Sequence, residues 1–199
     1  MSLMSSVKNR PAQSTLTGAL GRPIFRGMSK IGLLFGSFNP VHNGHLAIAK
    51  AGLSEAKCNQ IWFVLQAHNP FKTQNRVAPL EDRIAMLRLA LEGRGGFKMV
   101  VSRAPTMVAG LENLNQHYKD SEFVLLMGQD IVESLPSWRD HDKIINKYQV
   151  FSYNRLRNNQ ADVSSENVRA KIAKLEAVDK FVPVGVLSYI KNHHLYRGT

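Results

Sequence analysis

The sequence predicts a doubly wound α/β fold, a mostly parallel sheet with helices on both faces. Apolar runs of about five residues recur along the chain and amphipathic segments alternate with them, as a sheet buried on both faces requires. The 199 residues, 44% apolar and 21% charged, suffice for one sizeable core and exclude disordered, collagenous and coiled-coil classes.

Residues 1–29, rich in Ser, Pro and Gly and without a sustained period, are expected to be a flexible extension, and residues 30–199 the folded domain. Residues 31–35 read as the first strand, 36–43 as a turn-bearing loop and 44–57 as the helix that follows. Residues 61–65 repeat the strand pattern, and 80–91 space Ile84, Leu87 and Leu91 over the face of a helix. The connection between them, 66–79, is long for its type and is a functional-loop candidate. Residues 97–101 supply a third strand, 108–118 a weaker helix, and 123–127 a fourth strand ending in Gly128 and Asp130. A helix is expected over 138–147, a fifth strand over 148–153, a short final strand over 178–182 and a closing helix over 185–195. In a Rossmann-like sheet of this kind the ligand sits beyond the carboxyl ends of the strands, where strand order reverses. The loops after strands one and four are therefore expected to carry the chemistry.

The lone cysteine, Cys58, cannot close an intrachain disulfide, which excludes a disulfide-framed secreted domain and makes a reducing, cytoplasmic setting the expectation. No apolar run approaches the roughly 20 residues of a membrane-spanning helix, so no membrane partner is expected. The net charge of +11 invites a nucleic-acid reading, but Lys8, Arg10, Arg22, Arg26 and Lys30 supply five of those charges without an opposing acid. The remaining cations are dispersed and form no recognition motif, so no nucleic-acid partner is expected; the +6 of residues 31–199 suits small anionic substrates.

The densest motif is GSFNPVHNGH at residues 36–45, directly after the first strand. Gly36 can admit a ligand to the backbone, Asn39 and Pro40 can shape a sharp turn, and Gly44 leaves space where the helix begins. His42 and His45 project to nearly the same side if both lie in the incipient helix, whose unpaired amides would add donors for a phosphate. Three readings follow. The imidazoles can stabilise charge growing on a transferring phosphoryl group, they can form a partial zinc site that lacks a third ligand, or they can cap the helix. Neither GxxxxGK[ST] nor GxGxxG is present. A second motif, VSSENVR at residues 163–169, offers Ser164 or Ser165 as a helix cap, with Arg169 one turn on as a fork of donors for phosphate.

GSFNPVHNGH resembles the nucleotidyltransferase signature GxFxPxHxGH, and SSENVR resembles that superfamily's second phosphate-binding signature, with Glu166 where Ser or Thr is common. WFVLQAHNPFK, EDRIAMLRLAL, LLMGQD, LPSW and VPVGVLSYIKNHHLY extend the resemblance over residues 31–197, to the bacterial nicotinate mononucleotide adenylyltransferase family. The resemblance implies that ATP and a pyridine mononucleotide react to give a dinucleotide and pyrophosphate, with magnesium accompanying the triphosphate. It implies His42 and His45 at the ATP phosphates, with His45 on the transferring group. Ser164, Ser165 and Arg169 would then hold the β- and γ-phosphates, with Lys72 neutralising charge from the long loop. It puts the mononucleotide near Thr106, Asp130 and Trp138, and counts Gly36, Ser37, Phe38 and Gly128 among the substrate-binding positions. Departures bear on the acceptor: the family's Tyr-Thr pair stands here as Pro105 and Thr106, and a further threonine as Ala109. Nicotinate mononucleotide, received by backbone amides, is the expected acceptor. Nicotinamide mononucleotide is the alternative, and a catalytically silent nucleotide sensor is the alternative outside enzymes.

Overall fold

The computed structural model describes residues 28–67, 77–138, 140–154 and 163–197. Its sheet comprises β1 (Ser29–Gly36), β2 (Gln60–Gln66), β3 (Phe97–Ser102), β4 (Ser121–Gly128) and β5 (Gln149–Tyr153). Strand order is β3-β2-β1-β4-β5, with every pairing parallel. The helices are α1 (Asn43–Ser54), α2 (Leu80–Leu91), α3 (Met107–His117), α4 (Gln129–Ser134), α5 (His141–Lys147), α6 (Ser165–Ala173) and α7 (Val184–Asn192).

The apolar runs become strands because both faces of the sheet are covered. One face, with Leu34, Ile61, Phe63 and Leu126, packs under α1, α2, α6 and α7 through Ile48, Met86, Val168 and Val186. The opposite face, with Leu33, Trp62, Val64 and Leu125, packs against Leu111 and Leu114 of α3 and Ile144 of α5. The predicted doubly wound α/β fold is the observed one. Cys58 is buried in the first of these layers, and burial pushes its thiol above the ordinary range.

Two predicted elements are corrected. Residues 178–182 are a turn, with Val178 carbonyl accepting from the amides of Phe181 (2.9 Å) and Val182 (3.3 Å). Val178 and Val182 are still buried, so the apolar signal came from core contact made without strand pairing. This turn also seats α1, because the Phe181 carbonyl accepts from Asn43 N (2.8 Å) and the Lys180 carbonyl from Asn43 Nδ2 (3.0 Å). The helix expected over 138–147 begins only at His141; before it run α4 and a 3₁₀ turn, Leu135–Ser137, which carries Pro136. Residues 1–27, most of the expected extension, lie outside the described residues, as does most of the long loop after β2.

Candidate active site

β1 and β4 are neighbours whose onward connections diverge, toward β2 on one side and β5 on the other. The crevice at their carboxyl ends is the topological switch point, and the GSFNPVHNGH loop leaves β1 there. Phe38 points inward: it is buried against Phe63 at 5.6 Å between ring centroids and meets His45 edge-on at 4.9 Å. Its φ of 44° is left-handed, a conformation costing a residue with a Cβ about 1–2 kcal/mol, which ring burial offsets. A Cβ at Gly36 would lie 3.1 Å from the Phe38 ring, so this glycine clears space for Phe38 itself.

His42 is not in the helix. It is the N-cap of α1, and with His45 it forms a reciprocal capping box: His42 Nδ1 accepts from His45 N (3.4 Å), and His45 Nδ1 accepts from His42 N (3.2 Å). The rings stack 3.7 Å apart at 28°. An Nδ1 that accepts from an amide carries no proton, which leaves Nε2 as the donor nitrogen of each ring in this arrangement. The cap thus sets the tautomer that suits donation to a phosphoryl oxygen. His42 is buried and His45 half-buried. The expectation of unpaired amides at this helix end is corrected for two of them: Asn43 N is held by Phe181 and His45 N by His42. Among the described residues no cluster of three or more His, Cys, Asp or Glu side chains could hold a metal ion.

α6 meets this loop from 125 residues away. Ser164 is its N-cap, accepting from Asn167 N at 3.1 Å. Ser165 Oγ donates to the Pro40 carbonyl (2.9 Å) and Arg169 Nη1 to the Asn39 carbonyl (2.8 Å). Of the jobs raised by the sequence, Ser164 does the capping; Ser165 and Arg169 take a further one, binding α6 to the first loop through its backbone carbonyls. An arginine fork with one nitrogen so engaged retains further donors for an anion.

Beneath the loop lies a polar layer that the sequence reading did not single out. Asn39, fully buried, accepts on Oδ1 from Ala78 N (3.0 Å) and from the Tyr196 hydroxyl (2.8 Å). Arg83, 3% exposed, donates to the carbonyls of Ser37, Gln66, Ala67 and Ala78. Burial holds the Tyr196 phenol protonated far above its ordinary range, although Arg169 and Arg83 pull the other way. Burial lowers the Arg83 guanidinium. The available signal was in stretches quoted only for family likeness, EDRIAMLRLAL and the closing NHHLY: a charge inside an otherwise apolar helical face and a terminal tyrosine.

The other predicted residues divide. Gly128 ends β4 and is the N-cap of α4, whose second residue is Asp130, exposed beyond the strand end. Trp138 follows the 3₁₀ turn and is half-buried against the second core layer. Thr106 is exposed at the N-cap of α3 and its Oγ1 accepts from Ala109 N (3.1 Å), so that amide is already engaged. Lys72 lies outside the described residues.

A cytidylyltransferase-like family profile matches residues 33–171, from within β1 through most of α6. The chain belongs to the cytidylyltransferase-like family. Among similar proteins, one of Bacillus pumilus named "Probable nicotinate-nucleotide adenylyltransferase" is 31% identical over 187 residues, 85% of this chain and 99% of that one. A Flavobacterium johnsoniae protein of the same name is 29% identical over 191 residues, covering 84% and 99%. The Plasmodium falciparum nicotinic acid mononucleotide adenylyltransferase complexed with NaAD superposes with a TM-score of 0.68 over 84% of this chain and 97% of that one. At 16% identity, that likeness is one of fold.

Proposed function

We propose that this chain transfers the adenylyl group of ATP to nicotinate mononucleotide, giving nicotinate adenine dinucleotide and pyrophosphate. The observation that carries the reading is the joined pair of motifs at the switch point: stacked, Nε2-donating His42 and His45 on one side, Ser165 and Arg169 bound to the same loop on the other. Family membership and the names of the relatives support it.

A phosphate oxygen of the mononucleotide attacks the α-phosphorus of ATP in line; the bond from that phosphorus to the bridging oxygen breaks, and pyrophosphate leaves with the electron pair. The attacking monoester is already anionic near neutrality, so no general base is needed. Catalysis then rests on alignment and charge stabilisation. His45, the more accessible imidazole, donates from Nε2 to the transferring group, and the Arg169 fork faces the β- and γ-phosphates. Gly128 and Asp130 at the end of β4 border the mononucleotide, with Asp130 accepting ribose hydroxyls and Trp138 flanking the pyridine ring. Magnesium fits as a companion of the triphosphate, because it readily keeps phosphate and water ligands and needs no protein cage.

The acceptor carboxylate would be received at the amino end of α3. Because Thr106 holds the amide of Ala109, this leaves the earlier amides of Met107 and Val108 for the task. Pyrophosphate release, measured with magnesium-ATP and each mononucleotide in turn, tests the reading. A kcat/KM at least about tenfold higher for the nicotinate form is expected, and comparable values defeat the preference. No product with either acceptor defeats the assignment. His45→Ala should lower kcat by about 10²–10³-fold while the protein stays folded; undiminished turnover would remove the histidine from the mechanism.

A further inference from the structure

Among the described residues, Arg83 is a buried cation that the phosphoryl-transfer scheme leaves without a task. Its guanidinium donates only to main-chain carbonyls: Nε to Ala78 (3.1 Å), Nη1 to Ser37 (3.2 Å) and Gln66 (2.8 Å), Nη2 to Ala67 (2.9 Å). No carboxylate is among these partners. A charge buried this way is costly compared with an apolar side chain of similar volume, so core filling does not account for it.

What the four carbonyls share is location. Ser37 follows β1, Gln66 closes β2 and Ala67 follows it, and Ala78 leads into α2. One rigid planar fork therefore gauges the separation of the carboxyl ends of two adjacent strands at the crevice. Its grip on the Ser37 carbonyl also sets a peptide plane, which sends the Phe38 amide to the opposite side. Two residues on, Arg169 holds the Asn39 carbonyl and Tyr196 holds Asn39 Oδ1. The first loop is thus pinned at the Ser37 and Asn39 carbonyls by groups from α2 and α6, and at the Asn39 side chain by Tyr196, which follows α7.

We propose that Arg83 is a positioning residue for adenylyl transfer, setting the register of the Ser37–Asn39 backbone against the end of β2, with Tyr196 locking Asn39 beside it. This inference rests on the adenylyl-transfer reading above. Positive charge alone does not serve the purpose: a lysine keeps the charge, but its three donors radiate from one point and cannot span the four carbonyls.

The test is steady-state kinetics of Arg83→Lys and Tyr196→Phe, at a temperature where circular dichroism shows each variant folded. Misalignment of the reacting groups by about 1 Å costs around 100-fold. Arg83→Lys should therefore lower kcat by about that factor with the KM for magnesium-ATP within about threefold, and Tyr196→Phe, missing one hydrogen bond, should lower kcat about fivefold. A folded Arg83→Lys protein with kcat within about twofold of wild type overturns the proposal, as does a loss expressed in KM alone. If Arg83→Lys does not fold, Tyr196→Phe decides, an unchanged kcat counting against. If the wild-type protein itself shows no turnover, the adenylyl-transfer reading fails separately. A positioning role in that reaction then falls with it, whereas turnover in wild type with an undiminished, folded Arg83→Lys protein overturns the Arg83 proposal alone.

Discussion

The Tyr196 hydroxyl is the residue-scale contact whose chemistry is easiest to isolate. It donates to a buried amide oxygen, and burial outweighs the pull of Arg169 and Arg83 to push its proton affinity above the ordinary tyrosine value of 10.0. In the unfolded chain the phenol deprotonates near pH 10, while in the folded protein it keeps its proton. The contribution is therefore complete below pH 10 and declines above it, by roughly 1.4 kcal/mol per pH unit. Urea midpoints of wild type and Tyr196→Phe between pH 8 and pH 11 check this. The variant should be about 1 kcal/mol less stable at pH 8 and show a shallower alkaline decline, with contributions left from Tyr148, Tyr153, Tyr189 and Cys58, whose proton affinities burial also raises. Parallel declines in the two proteins would dissociate Tyr196 from the alkaline limb.

At the scale of elements, the opening of α1 shows how a glycine can serve a neighbour's side chain. A Cβ on Gly44 would stand 3.0 Å from His42 Nδ1 and 3.4 Å from the Val163 carbonyl. Gly44→Ala therefore sets a helix-propensity gain of about 0.5–1 kcal/mol against displacement of the His42 ring from its cap. Stability should change by less than about 1 kcal/mol, whereas kcat should fall about tenfold as the stacked pair comes apart. Parallel thermal-melt and pyrophosphate-release measurements would show this separation; full activity in a folded variant would refute it. The same element marks where sequence reasoning stops. The motif at residues 36–45 was legible because its glycines, proline and histidines are rare together, and VSSENVR was legible as a cap. That His42 and His45 would cap reciprocally and stack on each other was not, since periodicity places the start of the helix but not the side-chain hydrogen bonds made there. Arg83 was missed for a different reason. One arginine on an amphipathic helix looks solvated until the fold brings four carbonyls to it, and those belong to segments up to 46 residues away.

Over the whole molecule, the alternation of apolar runs and amphipathic segments was enough for the parallel, two-sided sheet, but not for the failure of residues 178–182 to pair. Val178 and Val182 are buried while Asp179 and Lys180 between them are exposed; two valines so spaced can be buried by a strand or by a turn folded onto the core, and only long-range packing chooses. That packing also joins stability to the site, because α1 rests directly on the sheet. Gly52 of α1 and Gly32 of β1 face the same two side chains, Leu126 and Ile61. A Cβ at Gly52 would lie 2.6 Å from Leu126 Cδ1 and 2.8 Å from Ile61 Cδ1, closer than a tightly packed core can absorb without moving the helix. Gly52→Ala should thus destabilise the protein by about 1–3 kcal/mol, even though alanine is the better helix former. Gly95→Ala is the matched control, since its Cβ would meet nothing within 4 Å, and a change within about 0.5 kcal/mol is expected. Urea unfolding of the pair measures the difference. Because lifting α1 also lifts the histidines at its amino end, kcat of Gly52→Ala should drop even where the variant is fully folded, and equal stability of the two variants would show that this glycine contact does not seat α1.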